Sequence, residues 1–468
     1  MTDNAETRQS KDAPKTYPQA WYALFLLVLL RTAISVFQYT YSSIPTLTSH
    51  YFGITLSAVN WLANVQCIVY VFMSFFTGYL FEKLGVKLSI VIAGVLCALG
   101  SAIRSLATIA NPPSFVWTMT GQTLGAIASP MALNIMTMFA STWFTENLRA
   151  TAGMFVASNY GAILVMFAIP SIATYIDKIP LVLHLVSGFT GLTFLLLLSM
   201  PSKPPKPPTT ELDVERPPYL KGLQMLMKNL NFWILFFIHS FNVGLSIAFG
   251  SLFAQIVGPH GYSDKHAGLL NALAFFAGTL GCTTAGPVLD QTKQHKLLLK
   301  LVTPMVFITN VAFIFVIPRG SFAFLLFVLT MNQFFLSFLV PVVIELSSET
   351  SYPVAESTSS SILWQGAQAF GFVFNLILDA TRDPKGIPVN NMIYGLIFQA
   401  VIAAIIMLLS FSFHGKMARL EASDWDAIPE LPKSPKGKET LWSLRAHPIA
   451  AVLDNDIKAT KSSIRIDT

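Results

Sequence analysis

The sequence predicts an all-α membrane protein of twelve spans, folded as two six-helix bundles around a central cavity, and three observations carry that expectation. Apolar runs of about 20 residues, the length that crosses a bilayer as a helix, recur along the chain. Hydrophobic residues make up 53% of it and charged residues 12%. Soluble domains carry roughly 25% charged residues. One long polar interval, 201–230, divides the runs six and six.

In the first half the runs fall at 20–44, 58–81, 88–110, 115–140, 150–173 and 181–200. In the second they fall at 231–257, 267–289, 297–318, 322–346, 357–379 and 391–413. The implied division is an N-tail (1–19), an N-terminal bundle (20–200), a linker (201–230), a C-terminal bundle (231–413) and a disordered tail (414–468). The first part of the linker is dense in proline, which supplies no backbone donor and favours an extended chain. After it Leu220, Leu223, Met227 and Leu230 recur at helical spacing beside Lys221 and Lys228. That pattern fits a short amphipathic helix on an anionic leaflet, or a linker with accidental periodicity.

Lysine and arginine favour the cytoplasmic side of a membrane. They crowd the N-tail, the linker, the tail and the connections bearing Lys83, Lys87, Arg149, Lys293 and Lys296, whereas alternate connections hold only Lys178, Lys265, Arg319, Arg382 and Lys385. Both termini are therefore expected in the cytoplasm. The plasma membrane is expected rather than a vacuole or lysosome. The formal charge of +6 follows from this orientation and does not call for a nucleic-acid partner. Cys67, Cys97 and Cys282 sit in apolar runs without metal-ligand spacing, so free thiols are expected. The N-terminus has no apolar core before a small-residue cleavage site, which makes the first run a retained span. No phosphate loop, metal cluster or nucleophile motif marks an enzyme, and no cofactor is implied.

The halves share a loop signature, GYLFEKLGVK at 78–87 and GPVLDQTKQHK at 286–296. Each sets a glycine four residues before an acid, Gly78 with Glu82 and Gly286 with Asp290, followed by bases such as Lys87. Glycine allows two helices to approach closely, and an acid at a helix end can hold a neighbouring helix or base and lock one access state. These residues are expected to gate. The repeated loop resembles that of the major facilitator superfamily, with Glu82 where the usual residue is aspartate. The resemblance implies alternating access.

Polar side chains inside a bilayer mark helix contacts or a solute path. In the eleventh run Ser361, Gln365, Gln368 and Asn375 fall on one helical face with Trp364 beside them. They fit a cavity wall or a helix–helix contact. The first run has a matching stripe of Arg31, Ser35, Gln38, Tyr39 and Ser42. A mid-bilayer arginine is expensive, so Arg31 is expected to face the interior, where it binds an anionic group or ties the bundle to carbonyls or a carboxylate. Arg104, nearer a span end, is expected to snorkel outward. The first six runs have no acid in their middles. His239, sharing a face with Asn242 and Ser246, is the candidate for proton coupling, with a structural role as the alternative, and uncoupled passage is the simpler expectation.

The segment from Glu349 through Tyr352, Pro353 and Glu356 to Gln368 resembles the feline leukaemia virus subgroup C receptor-related family. So do Phe37-Gln38-Tyr39, Val59-Asn60-Trp61-Leu62, Gly121-Gln122 and the stretch 159–170. The resemblance implies a facilitator of choline or ethanolamine, with haem export also proposed for that family and pyridoxine for a related branch. It places Gln368 on a substrate-contacting glutamine. Tyr39 stands where choline-handling members have tryptophan, Tyr160 where they have glutamine, and Ser246 or Ile247 where they have a cage tyrosine. Tyr39, Tyr160 and Trp364 could rebuild an aromatic cage for a quaternary ammonium, which Arg31 would oppose from the same cavity. The expected partners are a small solute and the bilayer, with the chain acting as a monomer. Export of a metabolite or drug, or a receptor that binds solute without moving it, are the other functions this pattern admits.

Overall fold

The structure, a computed structural model, describes residues 16–205, 219–319 and 321–415. The proline-rich part of the linker from 206 to 218, most of the expected N-tail and nearly all of the expected disordered tail lie outside the described residues. Among the described residues eleven helices are long and apolar enough to cross a membrane, and a bent pair, taken as one span, makes twelve.

Span 1 (Pro18–Tyr39) begins two residues before the run expected at 20–44 and ends five residues short of its end. The chain leaves the helix after Tyr39 and restarts at Pro45, whose missing donor costs nothing in a first helical turn; this short helix, Pro45–Phe52, stops at Gly53 in the left-handed region. Span 2 (Leu56–Phe81) opens with the Thr55 hydroxyl accepting from the Ala58 N–H, and it turns into span 3 (Lys83–Leu106) at Gly85, whose φ of 71° few other residues adopt. Span 4 (Phe115–Asn134 with Met136–Trp143) bends by 44°. At the bend Asn134 accepts from the Tyr70 hydroxyl at 2.8 Å and donates to Ser74 and Thr77 at 3.2 Å, so span 2 grips it there. Span 5 (Thr151–Ile172) is interrupted at Ser158 and Asn159, both non-helical, between the half-helices Glu146–Ala157 and Tyr160–Ile172. Span 6 (Ile176–Leu197) completes the first half.

The expected amphipathic helix is present as Tyr219–Lys228. Its Leu226 is buried against Phe232, Val354 and Leu363, while Met227 and Leu230 stay exposed. One face thus docks on the bundle and only part of the apolar stripe is left for lipid. Spans 7 (Leu230–His260), 8 (Asp264–Leu289), 9 (His295–Arg319), 10 (Phe322–Ser351), 11 (Glu356–Ala380) and 12 (Ile393–Ser412) form the second half.

Each half has its own apolar core. That of the second half unites Leu235, Phe253, Leu299, Phe313, Leu339 and Phe374, and the first half has two, one around Leu27, Phe139 and Trp143 and one around Tyr39, Val165 and Val182 that also takes in Ala272 and Phe275 of span 8. Across the halves, span 8 meets span 5 closely, and a Cβ on Gly268 would lie 2.5 Å from the Met166 carbonyl. The two loop signatures differ in geometry. A Cβ on Gly286 would meet Met154 of span 5 at 3.1 Å, whereas nothing lies within 4 Å of one on Gly78, and the left-handed residue of the second loop is Lys293 rather than a glycine. The close approach expected at both glycines occurs at Gly286 alone. Lys87 is half-buried, and the side chains of Glu82 and Asp290 lie outside the described residues.

Candidate solute cavity between the two halves

Span 1 sets the first wall of the cavity. Its helical period brings Arg31, Ser35, Gln38 and Tyr39 to one face, and all four line a cavity of about 150 Å³ between the halves. Span 11 faces it with Trp364 and Gln368. Of the residues singled out in the two stripes, Arg31, Ser35, Gln38, Tyr39, Trp364 and Gln368 therefore come together around one space. Tyr160 and Gln365 do not line it. Gln365 is turned toward span 2, where its amide donates to the Val71 carbonyl at 2.9 Å. Tyr160 opens the second half-helix of span 5, one residue past the wall.

Other lining residues were not legible in the runs. The break in span 5 puts Ser158 and Asn159 in the wall, as unwound backbone does where it lines a cavity. Span 10 contributes Gln333, whose carbonyl accepts from the Ser246 hydroxyl at 3.3 Å and whose amide nitrogen is buried with no partner. The polar pair Asn332-Gln333 within an apolar run was the available signal. Phe275 of span 8 lies across from Tyr39, ring centroids 5.8 Å apart, and Cys282 of the same span also faces the space. Gln368 itself has no hydrogen-bond partner among the described residues, which leaves its amide free for a solute.

His239 is fully buried and does not line the cavity. Its ring packs edge-on against Trp364 at 5.3 Å, and neither ring nitrogen has a hydrogen-bond partner among the described residues. It supports the Trp364 wall from behind.

Arg104 departs from expectation. Rather than snorkel, it is 1% exposed, donating to the Phe37 backbone carbonyl at 2.7 Å and the Gln122 side-chain Oε1 at 2.9 Å, with its guanidinium over the rings of Phe37 (4.2 Å) and Tyr41 (4.5 Å). Glycines make this burial possible. A Cβ on Gly121 would meet the Gly100 carbonyl at 2.5 Å and Arg104 Cγ at 2.9 Å, so spans 3 and 4 touch backbone to backbone there. Gln122 also donates to the Leu62 carbonyl at 2.9 Å, so one network holds spans 1 to 4 just beside Gln38 and Tyr39. Arg104→Met orphans two buried acceptors at about 1–3 kcal/mol each and is expected to lower the melting temperature in detergent by several degrees. An unchanged melting curve would remove this network from the account.

At the end of the bundle away from the chain termini, the halves are clasped by polar side chains. Asn60 of span 2 donates to Asp379 at 2.9 Å and exchanges hydrogen bonds with Gln255 of span 7 at 2.6 and 3.3 Å. Arg382 joins both, pairing with Asp379 at 2.9 Å and donating to the Gln255 carbonyl. This distal clasp ties the two halves together at that end.

Comparison with known proteins agrees with this geometry. A model of the Major Facilitator Superfamily matches residues 23–376. The chain is 28% identical over 388 residues to Solute carrier family 49 member A3 of Xenopus tropicalis, covering 79% of each chain. It is 25% identical over 418 residues to the choline/ethanolamine transporter FLVCR2 of Homo sapiens, covering 86% of this chain and 79% of that one. Among solved structures, a bacterial homologue of the human lysosomal transporter Spinster, inward-facing and unoccupied, superposes with a TM-score of 0.64 at 15% identity over 85% of this chain and 98% of that one. FucP in the outward conformation superposes with a TM-score of 0.60 at 15% identity over 85% of this chain and all of that one.

Proposed function

Because the chain belongs to the Major Facilitator Superfamily, and is accordingly a membrane solute transporter rather than an enzyme, we propose that it passes one small polar organic solute across the membrane by alternating access, without ion coupling. One observation carries the reading: six side chains from the polar stripes of spans 1 and 11 meet around a single cavity between the halves. The halves, 20–200 and 231–413, move as units about it, and the distal clasp parts when the cavity opens away from the termini. A space of about 150 Å³ matches cavities that hold one small ring. A porphyrin, with four such rings, exceeds it, so haem export is the weaker alternative.

The lysine and arginine distribution supports cytoplasmic termini, which makes the distal end the outer one. We take the chain to work as a monomer at the plasma membrane. The relatives named for choline and ethanolamine make those amines the first compounds to test, with pyridoxine-sized vitamins next. Uptake of such labelled compounds into proteoliposomes holding the purified chain is expected to exceed that of empty liposomes for at least one of them and to proceed without a proton gradient. Binding without any movement would favour a receptor instead.

A further inference from the structure

Resting on the transport reading, we infer that the solute carries an anionic group, a carboxylate on a small, partly apolar body, and that Arg31 receives it. Arginine stays charged in proteins, and a charge inside a bundle is costly unless something balances it. Among the described residues no carboxylate lines the cavity, and the hydrogen bond recorded for Arg31 is a long one, 3.4 Å from Nε to the Val156 carbonyl. That bond occupies one of five donors. The remainder of the fork stands at the cavity wall.

A second feature of the same wall points the same way. Span 5 is broken at Ser158 and Asn159, so the half-helix Tyr160–Ile172 begins at the cavity. The first N–H groups of a helix lack intrahelical partners and carry the positive end of its dipole. Interrupted transporter helices present such ends to anionic groups of their substrates, while the free carbonyls of the preceding half-helix hold cations. Here Val156, at the end of the first half-helix, holds Arg31, and the start of the second is left for the solute. Opposite, Val243, Ile247, Val340 and Trp364 supply an apolar wall, and the unpartnered amide of the buried Gln333 supplies a donor. A quaternary ammonium finds aromatic faces in this cavity but no counter-charge.

Cys282 lines the cavity while Cys67 and Cys97 are buried, so its thiol reports the local charge in the purified full-length protein. Its rates with a sulfonatoethyl (anionic) and a trimethylammonioethyl (cationic) methanethiosulfonate, each taken relative to free cysteine, are expected to favour the anion. Arg31→Gln should lower that ratio by roughly tenfold or more, and Arg31→Lys should retain most of it. A ratio equal in the wild type and Arg31→Gln overturns the assignment. Should Arg31→Gln fail to fold, a wild-type preference for the cationic reagent or for neither overturns it equally. Uptake of small carboxylates and of choline into proteoliposomes keeps the two readings apart. Choline moved with no carboxylate moved refutes the anionic solute and leaves transport standing, whereas an anion-selective cavity through which no solute passes refutes transport and leaves the charge assignment standing.

Discussion

A chain with cysteines in place of Asn60 and Asp379, on a Cys282→Ala background, is expected to lose transport when a short thiol cross-linker bridges the two positions, and to regain it on reduction. The side chains now at these positions touch at 2.9 Å, so a short bridge spans them without moving either helix. Asn60 belongs to span 2 and Asp379 to span 11, one in each half. Outward opening requires that pair to separate, and a covalent bridge leaves the cavity with a single entrance. Uptake should fall to the level of empty liposomes, because no partial motion delivers solute through a closed end. The unbridged double variant tests the clasp by itself. It loses the buried hydrogen bonds of Asn60 and the Asp379–Arg382 pair, at about 1–3 kcal/mol for the orphaned groups, and so shifts the population toward outward-open states. Normal transport by the fully bridged chain would refute alternating access between these halves.

The second large effect concerns Gln368. Its side chain lines the cavity and has no hydrogen-bond partner among the described residues, so a bound solute is the group positioned to satisfy it. Removing it leaves a solute hydroxyl, amide or carboxylate unpaired at a cost of about 1–3 kcal/mol, or roughly five- to 150-fold in affinity. Gln368→Ala is therefore expected to raise the half-saturating solute concentration by that factor with normal amounts of protein in the membrane. Gln365→Ala is the control from the same helix. Its amide bonds the Val71 backbone, so its loss should act on stability, with solute affinity held. If the two variants exchange these effects, the assignment of the span 11 wall is wrong.

Spans were readable from sequence because bilayer thickness sets one length for every crossing helix and because that length must be apolar. The stripes of spans 1 and 11 were readable because a helix brings residues three and four apart to one face. That rule has limits visible here. It groups Gln365 with Gln368, yet the presence of span 2 draws Gln365 aside to a backbone carbonyl. It assumes an unbroken helix, so it could not place Ser158 and Asn159 at the unwound point of span 5. Arg104 was misjudged from its position near a span end, where snorkelling is common. Gly100, Gly121 and Gly125 let neighbouring backbones close over it instead, and two aromatic rings with Gln122 replace water around its charge. The contributions of spans 8 and 10 follow from how the halves face each other, a tertiary fact that no single run encodes.

The account depends most on one cavity being reached alternately from two sides. Cys282 offers a native reporter, since it lines that cavity and the other two cysteines are buried. In sealed vesicles of known orientation, a membrane-impermeant thiol reagent is expected to modify Cys282 from either face. With cysteines at the Asn60 and Asp379 positions joined directly as a disulfide on a chain that retains Cys282, and a non-reducing maleimide as the reagent, modification from the distal face should cease while that from the face bearing the termini persists. Labelling of Cys282 from the distal face through an intact bridge, or from one face only in the unbridged chain, would contradict it.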